Sequence, residues 1–227
     1  KFEKPEQKPY DGVIAIPGIL EAENYDEGGA GLAFQDDDAA NHGSVYRNDD
    51  VDITEVDGGG YAIGWTSKGE WLEYTIDVAH TETYELELRV ASGLEGSGFS
   101  LFIDGKAVTD KIEVPQGKDW ETYQTISAST SEISKGKHIL KILIEGSYVN
   151  IDWIRFKSTT HTDVISITDD NIIPNGEYQL YDIAGRLLKT IEINDGHIPS
   201  EIDGVSNKGV YLLKSEETAE TYKVNAK

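Results

Sequence analysis

Trp71-Leu-Glu-Tyr-Thr-Ile-Asp-Val78, followed after a polar break by Tyr84-Glu-Leu-Glu-Leu-Arg-Val90, decides the fold class. In the first stretch Leu72, Tyr74, Ile76 and Val78 alternate with Glu73, Thr75 and Asp77. In the second, Tyr84, Leu86, Leu88 and Val90 alternate with Glu85, Glu87 and Arg89. A period of two sends successive side chains to opposite faces, so each stretch predicts a strand with one face in a core and the other in water.

The same reading extends outward in both directions. Phe99, Leu101 and Ile103 run into an Asp104-Gly105 turn; Leu140, Ile142 and Ile144 follow, then Ile151 to Phe156. Strands punctuated by Gly, Asp-Gly and Pro predict an antiparallel sandwich over residues 14–157, and no helical period competes with it. Residues 1–13, charged and broken by Pro5 and Pro9, read as a linker, and residues 158–171, rich in Thr, Ser and Asp, as a hinge. Beyond the hinge, Tyr178 to Ile183, an Ala184-Gly185 turn and Leu187 to Ile193 read as one hairpin. Gly209 to Lys214 and Thr221 to Lys227, joined across Glu216 to Glu220, read as a second. Residues 172–227 are therefore expected to be a small β-sandwich, near the lower size at which a core holds alone.

The chain of 227 residues carries 42 acidic against 20 basic side chains, a net charge of −22. Such a surface is repelled by phosphate backbones and anionic lipid, which argues against nucleic-acid and peripheral membrane partners. No apolar run approaches the ~20 residues of a membrane span. Cys is absent, which removes thiolate metal sites and Cys nucleophiles and leaves the redox compartment unread. The chain opens on Lys1 with no charged-then-apolar leader and reads as an excised piece whose native targeting is not visible.

Enzyme chemistry finds little purchase. His42, His80, His138, His161 and His197 sit in no zinc-binding or triad-like local motif, and no nucleophile elbow or phosphate-cradling loop occurs. Among 42 carboxylates a pair at glycosidase spacing arises by chance, so none is nominated. The run Asp36-Asp37-Asp38, with Asp49, Asp50, Asp52 and Asp57, is read as a solvated loop rather than a cation site. Glu21 and Glu23 leave the same face of a first strand, where two carboxylates repel unless a cation or Arg lies between them; spacing leaves a metal pair and a surface pair open. Trp65, Trp71, Tyr74 and Trp153 lie in apolar-flanked positions and are expected in the core. Trp120, after the polar turn Pro115 to Asp119, and Tyr61, after Gly58-Gly-Gly, are expected at strand–loop junctions, as a sugar platform or as buried strand ends.

Five stretches taken together resemble the family 6 carbohydrate-binding modules. They are Ile19-Leu-Glu-Ala-Glu-Asn-Tyr, Tyr46-Arg-Asn-Asp-Asp-Val-Asp-Ile, Gly59-Gly-Tyr-Ala-Ile-Gly-Trp-Thr-Ser-Lys-Gly-Glu-Trp-Leu-Glu-Tyr, Trp120-Glu-Thr-Tyr-Gln-Thr and Tyr148-Val-Asn-Ile-Asp-Trp-Ile-Arg-Phe, in family order. The resemblance implies a non-catalytic β-jelly-roll with a glycan cleft formed by loops at one end, attached to a polysaccharide-degrading enzyme. It implies that Tyr61 and Trp120 face each other across a sugar ring and that Asn150 hydrogen-bonds the sugar. It further implies a structural Ca²⁺ held by Glu21, Glu23, Asp152 and a main-chain carbonyl near Arg47. Residues 178–227 resemble the C-terminal sorting domain of type IX secretion, through Tyr181-Asp-Ile-Ala-Gly-Arg-Leu and Lys208-Gly-Val-Tyr-Leu-Leu-Lys; a small adhesion module is the alternative.

The reading that results is an all-β, monomeric, secreted or surface-held accessory module with its catalytic domain upstream. It would bind a neutral β-linked polysaccharide, xylan first and β-glucan or agar-type polymers next. The competing readings are a protein-binding β-module at the cell surface and a hydrolase.

Overall fold

In the computed structural model residues 6–159, 164–167, 173–182, 186–194, 209–215 and 221–226 are described, and the chain divides into two units, Lys1–Thr159 and Thr160–Lys227. In the first unit the strands are β1 (Ile14–Ile16), β2 (Gly18–Glu21), β3 (Phe34–Gln35), β4 (Ile53–Glu55), β5 (Tyr61–Ile63), β6 (Trp71–Val78), β7 (Tyr84–Ala91), β8 (Gly98–Ile103), β9 (Lys106–Ala107), β10 (Ile112–Glu113), β11 (Gln124–Ser129), β12 (Gly136–Gly146) and β13 (Asn150–Ser158). One sheet runs β1-β6-β12-β8-β10, with β3 beside β6 and β9 beside β8. The other runs β11-β7-β13-β5-β4, with β2 beside β13.

The alternation that predicted the strands also builds the core. Leu72, Tyr74, Ile76 and Val78 turn inward from β6, and Leu86, Leu88 and Val90 from β7, together with Leu140, Ile142, Ile154 and Phe156. Each buried side chain of this size is worth about 1.5–3 kcal/mol against exposure. The one polar atom Tyr74 brings inside, its hydroxyl, donates to the Ala22 carbonyl at 2.8 Å. Asp104 and Gly105 have φ of +49° and +80°, the left-handed pair of a two-residue hairpin turn, and join Ile103 to its register partner Lys106.

Residues 7–10 are not a linker. Lys8 and Glu27 exchange backbone hydrogen bonds of 2.9 and 2.7 Å, Gln7 Nε2 donates to Asp26 Oδ2 at 3.0 Å, and the Arg47 guanidinium lies 4.2 Å from the Tyr10 ring centroid. A segment whose backbone and side chains are paired this way is part of the fold, and Pro punctuation alone does not reveal it.

In the second unit β14 (Val164–Ile167), β15 (Gly176–Asp182), β16 (Leu187–Ile193), β17 (Gly209–Ser215) and β18 (Thr221–Ala226) form a sheet in the order β14-β18-β17-β15-β16. The expected hairpin partners, β15 with β16 and β17 with β18, are antiparallel neighbours. The stretch read as a hinge contributes β14, which pairs parallel with β18, Val164 opposite Thr221. Ile173, Tyr178, Leu180, Ile191, Ile193, Leu213 and Tyr222 make this unit's own core. The expected turn at Ala184-Gly185 and the connection over Glu216 to Glu220 lie outside the described residues. No helix among the described residues is long and apolar enough to cross a membrane.

Candidate functional site

The loops Gly64–Glu70, Ser92–Ser97, Val114–Tyr123 and Ser147–Val149 are joined at one end of the first unit by hydrogen bonds among small hydroxyls and backbone. Thr66 Oγ1 donates to the Val149 carbonyl and accepts from the Val149 N–H, both at 2.9 Å, while Tyr148 N donates to Thr66 O at 2.7 Å. The Ser92 hydroxyl meets the Tyr148 carbonyl at 2.9 Å and the Ser97 hydroxyl at 2.7 Å, and Ser97 Oγ reaches the Ser147 carbonyl at 2.9 Å. Thr66, Ser92 and Ser97 are buried, so these bonds form away from competing water, and leaving one unmade costs about 1–3 kcal/mol.

Those ties hold two residues in left-handed backbone, Trp65 at φ +46° and Tyr148 at +63°. Bulky residues avoid that region, and it persists only where the surroundings over-determine it, which is common at binding sites. Both side chains stand out from the surface, Trp65 49% and Tyr148 50% exposed. Together with Trp120, Glu121, Thr54 and Asn150 they line a cavity of about 300 Å³, at the lower end of the small-molecule range. Trp120 is 42% exposed, whereas Asn150 is nearly buried on the cavity floor. Asn150 Nδ2 donates to the Trp120 carbonyl at 2.9 Å, and the Asp119 carboxylate accepts the Glu121 and Thr122 N–H groups at 3.1 and 2.7 Å. The loop carrying Trp120 is thereby fixed at both sides of the ring.

Two sequence expectations are corrected here. Tyr61 is not among the residues that line the cavity with Trp120. It begins β5, four residues before Trp65 and so up to about 13 Å away along an extended chain, and its ring lies on Tyr46 with centroids 4.5 Å apart. Trp65 is not a core residue: Gly64 and Thr66-Ser67 mark a loop, and reading the tryptophan by its apolar character alone hid this. Trp71 and Trp153 are only partly buried, beneath Lys141 Nζ at 4.0 Å and the Arg155 guanidinium at 5.2 Å, while Tyr74 is buried as expected. Tyr148, Thr54 and Glu121 were not singled out from sequence; Tyr148 carried a signal, an aromatic residue in the turn Gly146-Ser147-Tyr148, two residues before Asn150.

The expected metal ligands lie elsewhere. Glu21 closes β2, opposite Trp153 in the register, and Glu23 follows in a short 3₁₀ turn (Ala22–Asn24). Glu23 is buried and its Oε2 has no hydrogen-bond partner; burial first, and then the charge of Glu21, pushes its carboxyl up to about 7, against the pull of its own N–H. Burial raises Glu21 as well. Asp152 is buried but ion-paired with Arg89. The Arg47 carbonyl accepts Asn41 Nδ2 at 3.2 Å, and its buried guanidinium caps the Tyr25 carbonyl and lies 3.6 Å from the Tyr25 ring centroid. Among the described residues no three His, Cys, Asp or Glu side chains gather as a metal cage. The orphaned Glu23 oxygen and the adjacent Glu21 nevertheless fit an oxygen-seeking hard cation. The acidic loop is satisfied internally: Asp38 Oδ2 meets His42 Nε2 at 3.0 Å, and Asp36 and Asp38 accept N–H groups of their own loop.

Solved structures similar to this chain include the C-terminal family 6 module of LamC, a marine laminarinase of Zobellia galactanivorans, at 26% identity over 62% of this chain and 98% of that one, with a TM-score of 0.49. A module of Cellvibrio mixtus lichenase 5A in complex with cellotriose matches at 22% identity over 63% of this chain and 98% of its own, TM-score 0.49. A β-1,3-glucan-binding family 6 module of Bacillus halodurans matches at 22% over 65% and 100%, TM-score 0.49. A family model described as carbohydrate binding module (family 6) matches residues 38–158, more than half of the sequence. The chain belongs to family 6 of the carbohydrate-binding modules.

Proposed function

We propose that the loop-end cavity is a glycan cleft for a neutral β-linked polysaccharide, with xylan, β-glucan and agar-type polymers the candidates in that order. The observation that carries this is the placement of Trp65, Trp120 and Tyr148 around an open cavity whose floor is the nearly buried amide of Asn150. A pyranose ring offers C–H groups on its faces and hydroxyls at its equator. Aromatic walls take the faces, each contact worth about 0.5–1.5 kcal/mol beyond its area. Asn150 donates one N–H to the Trp120 carbonyl and brings its amide to the cavity; Thr54 and Glu121 add an O–H and a carboxylate. A carboxylate in the cleft and a net charge of −22 disfavour uronate-rich chains. A short cleft of this kind gives about −5 to −7 kcal/mol, a Kd of about 0.1 mM to 10 µM, and tethering to an upstream catalytic domain raises the effective concentration.

Affinity electrophoresis in gels containing xylan, laminarin, lichenan or agar tests the reading. The wild-type chain is expected to be retarded by at least one polymer, and Trp120→Ala and Trp65→Ala to run free. Retardation by none, or equal retardation of all three proteins, refutes it.

We further propose that Glu21 and Glu23 hold a structural Ca²⁺, with Asp152 and the Arg47 carbonyl the remaining donors implied by the family. A cation bound only by the folded chain stabilises it by mass action. Excess chelator is expected to lower Tm by several degrees, restored by added Ca²⁺; an unchanged Tm rules the site out. Residues 172–227 are proposed as a type IX sorting domain, and the chain as a secreted or surface-held monomer. Fusion of these residues to a periplasmic reporter in a host with that pathway should export it, and retention of the reporter would leave the adhesion reading standing.

A further inference from the structure

Glycines in the loop Ser92–Ser97 have different reasons to be glycine. Gly96 has φ of +82°, and a Cβ there would meet nothing within 4 Å, so its backbone conformation explains it. Gly93 is the reverse: its φ is outside the left-handed range, and any residue can adopt it. A Cβ at Gly93, however, would lie 3.1 Å from Cε2, Cε3 and Cη2 of Trp120 alike. These are alternate atoms of the six-membered ring, so the added carbon would stand over the ring's centre. Carbon atoms pack at about 3.5–4.0 Å, so the indole must retreat by a few tenths of an ångström.

The direction of retreat is set by what is fixed. Gln116 Nε2 holds the Gly93 carbonyl at 2.9 Å, Gly117 N donates to the Ser92 carbonyl at 2.8 Å, and Asn150 holds the Trp120 carbonyl at 2.9 Å. Both backbones are pinned to each other and to the cavity floor, so the ring gives way on its free face. That face looks into the cavity, whose lining includes Trp120 and not Gly93. We infer that Gly93 is a positioning residue of the cleft: its bare α-carbon backs the Trp120 ring and sets how far the indole stands from the facing wall. The inference rests on the glycan reading of the cavity and adds a determinant of its width that never touches the sugar.

The test uses the full chain and two readouts. The four tryptophans give four indole N–H signals in a ¹H–¹⁵N spectrum, and Trp120→Phe identifies that of Trp120. Gly93→Ala is expected to move the Trp120 signal and leave the other three in place. It is also expected to weaken binding to whichever of xylan, laminarin or lichenan retards the wild type by three- to tenfold, with Tm within 2 °C of wild type. In a Trp120→Tyr background, where a smaller ring leaves room, the same alanine is expected to change affinity less than twofold. This pair also serves if Gly93→Ala alone fails to fold. An unmoved Trp120 signal, wild-type affinity in Gly93→Ala, or an equal loss in both backgrounds overturns the inference while the wild type's binding keeps the glycan reading intact. A wild type bound by no polymer overturns that reading, and the role given to Gly93 with it.

Discussion

Two groups of aromatic residues stand at or near the surface of the first unit among the described residues, one packed ring on ring with Tyr61 resting on the core, the other placed around a cavity. Tyr10, Tyr46 and Tyr61 pack ring on ring: Tyr46 lies 4.5 Å from Tyr61 and 5.6 Å from Tyr10, and its hydroxyl donates to Asn24 Oδ1 at 2.6 Å. Trp65, Trp120 and Tyr148 instead stand around a cavity of about 300 Å³. Both groups contain left-handed residues, Tyr46 at φ +63° in the first and Trp65 and Tyr148 in the second, so strain alone does not distinguish them. The difference lies in the backbone. In the second group buried hydroxyls tie the loops together and keep the rings from collapsing onto one another. An aromatic side chain becomes a cavity wall where its partner ring is held away from it, and becomes packing where nothing holds the two apart.

Substitutions in the two groups should have different consequences. Trp65→Ala and Trp120→Ala are each expected to weaken glycan binding at least thirtyfold, about 2 kcal/mol, with little change in Tm. Tyr61→Ala is expected to bind within twofold of wild type while losing about 2 kcal/mol of stability, the aromatic pair together with the part of the ring packed on the core. Titration calorimetry and thermal melts on the three variants decide it, and a Tyr61→Ala chain that no longer binds would erase the distinction between the groups.

Next is the tie itself. Thr66→Val keeps the shape and removes the hydroxyl that both accepts from Val149 N–H and donates to its carbonyl. A loss of about 1–2 kcal/mol in urea unfolding is expected from the unpaired groups, together with weaker glycan binding. Unchanged affinity would mean that the walls stand apart without that bond.

The smallest effect belongs to a pair with no part in either group. His138 Nδ1 meets Asp104 Oδ2 at 2.7 Å and its Nε2 meets the Ser134 carbonyl at 2.8 Å, so both ring nitrogens face acceptors and the arrangement suits the imidazolium. The hydrogen bond to Asp104 raises the His138 pKa above its ordinary 6.5. The stabilisation is therefore complete below pH 6.5, and it is lost as pH rises through the raised folded-state value. Asp104 is largely exposed, so the effect is below about 1 kcal/mol. Melting curves at pH 5.5 and 8.5 should show the wild type losing slightly more stability over that interval than His138→Gln, and parallel curves would contradict it.

Much of the fold was legible because alternation is a local property. Leu72 to Val78 and Tyr84 to Val90 name their own inward faces, and Asp104-Gly105 names its own turn. Short strands such as β3, β9 and β10 were not legible, since two residues carry no period and their pairing depends on the longer strands beside them. The strap at Gln7 to Tyr10 was lost for a similar reason. Its polar residues look like linker until Asp26, Glu27 and Arg47 are brought beside them.

The candidate site divides in the same way. The polar turn before Trp120 marks a loop end in the sequence itself, whereas Asn150 was named only through the family resemblance; both line the cavity. Trp65 was expected in the core and lines the cavity instead, while Tyr61, in the same stretch of sixteen residues from Gly59 to Tyr74, does not. Composition and periodicity by themselves settle that this chain is all-β, strongly acidic and without thiol chemistry, since those follow from each residue and its near neighbours. Which aromatic rings end up across a gap from one another depends on contacts between loops far apart in the chain, Thr66 with Val149 and Gly93 with Trp120. That distance is fixed only when the two sheets close and the buried hydroxyls between the loops find their partners.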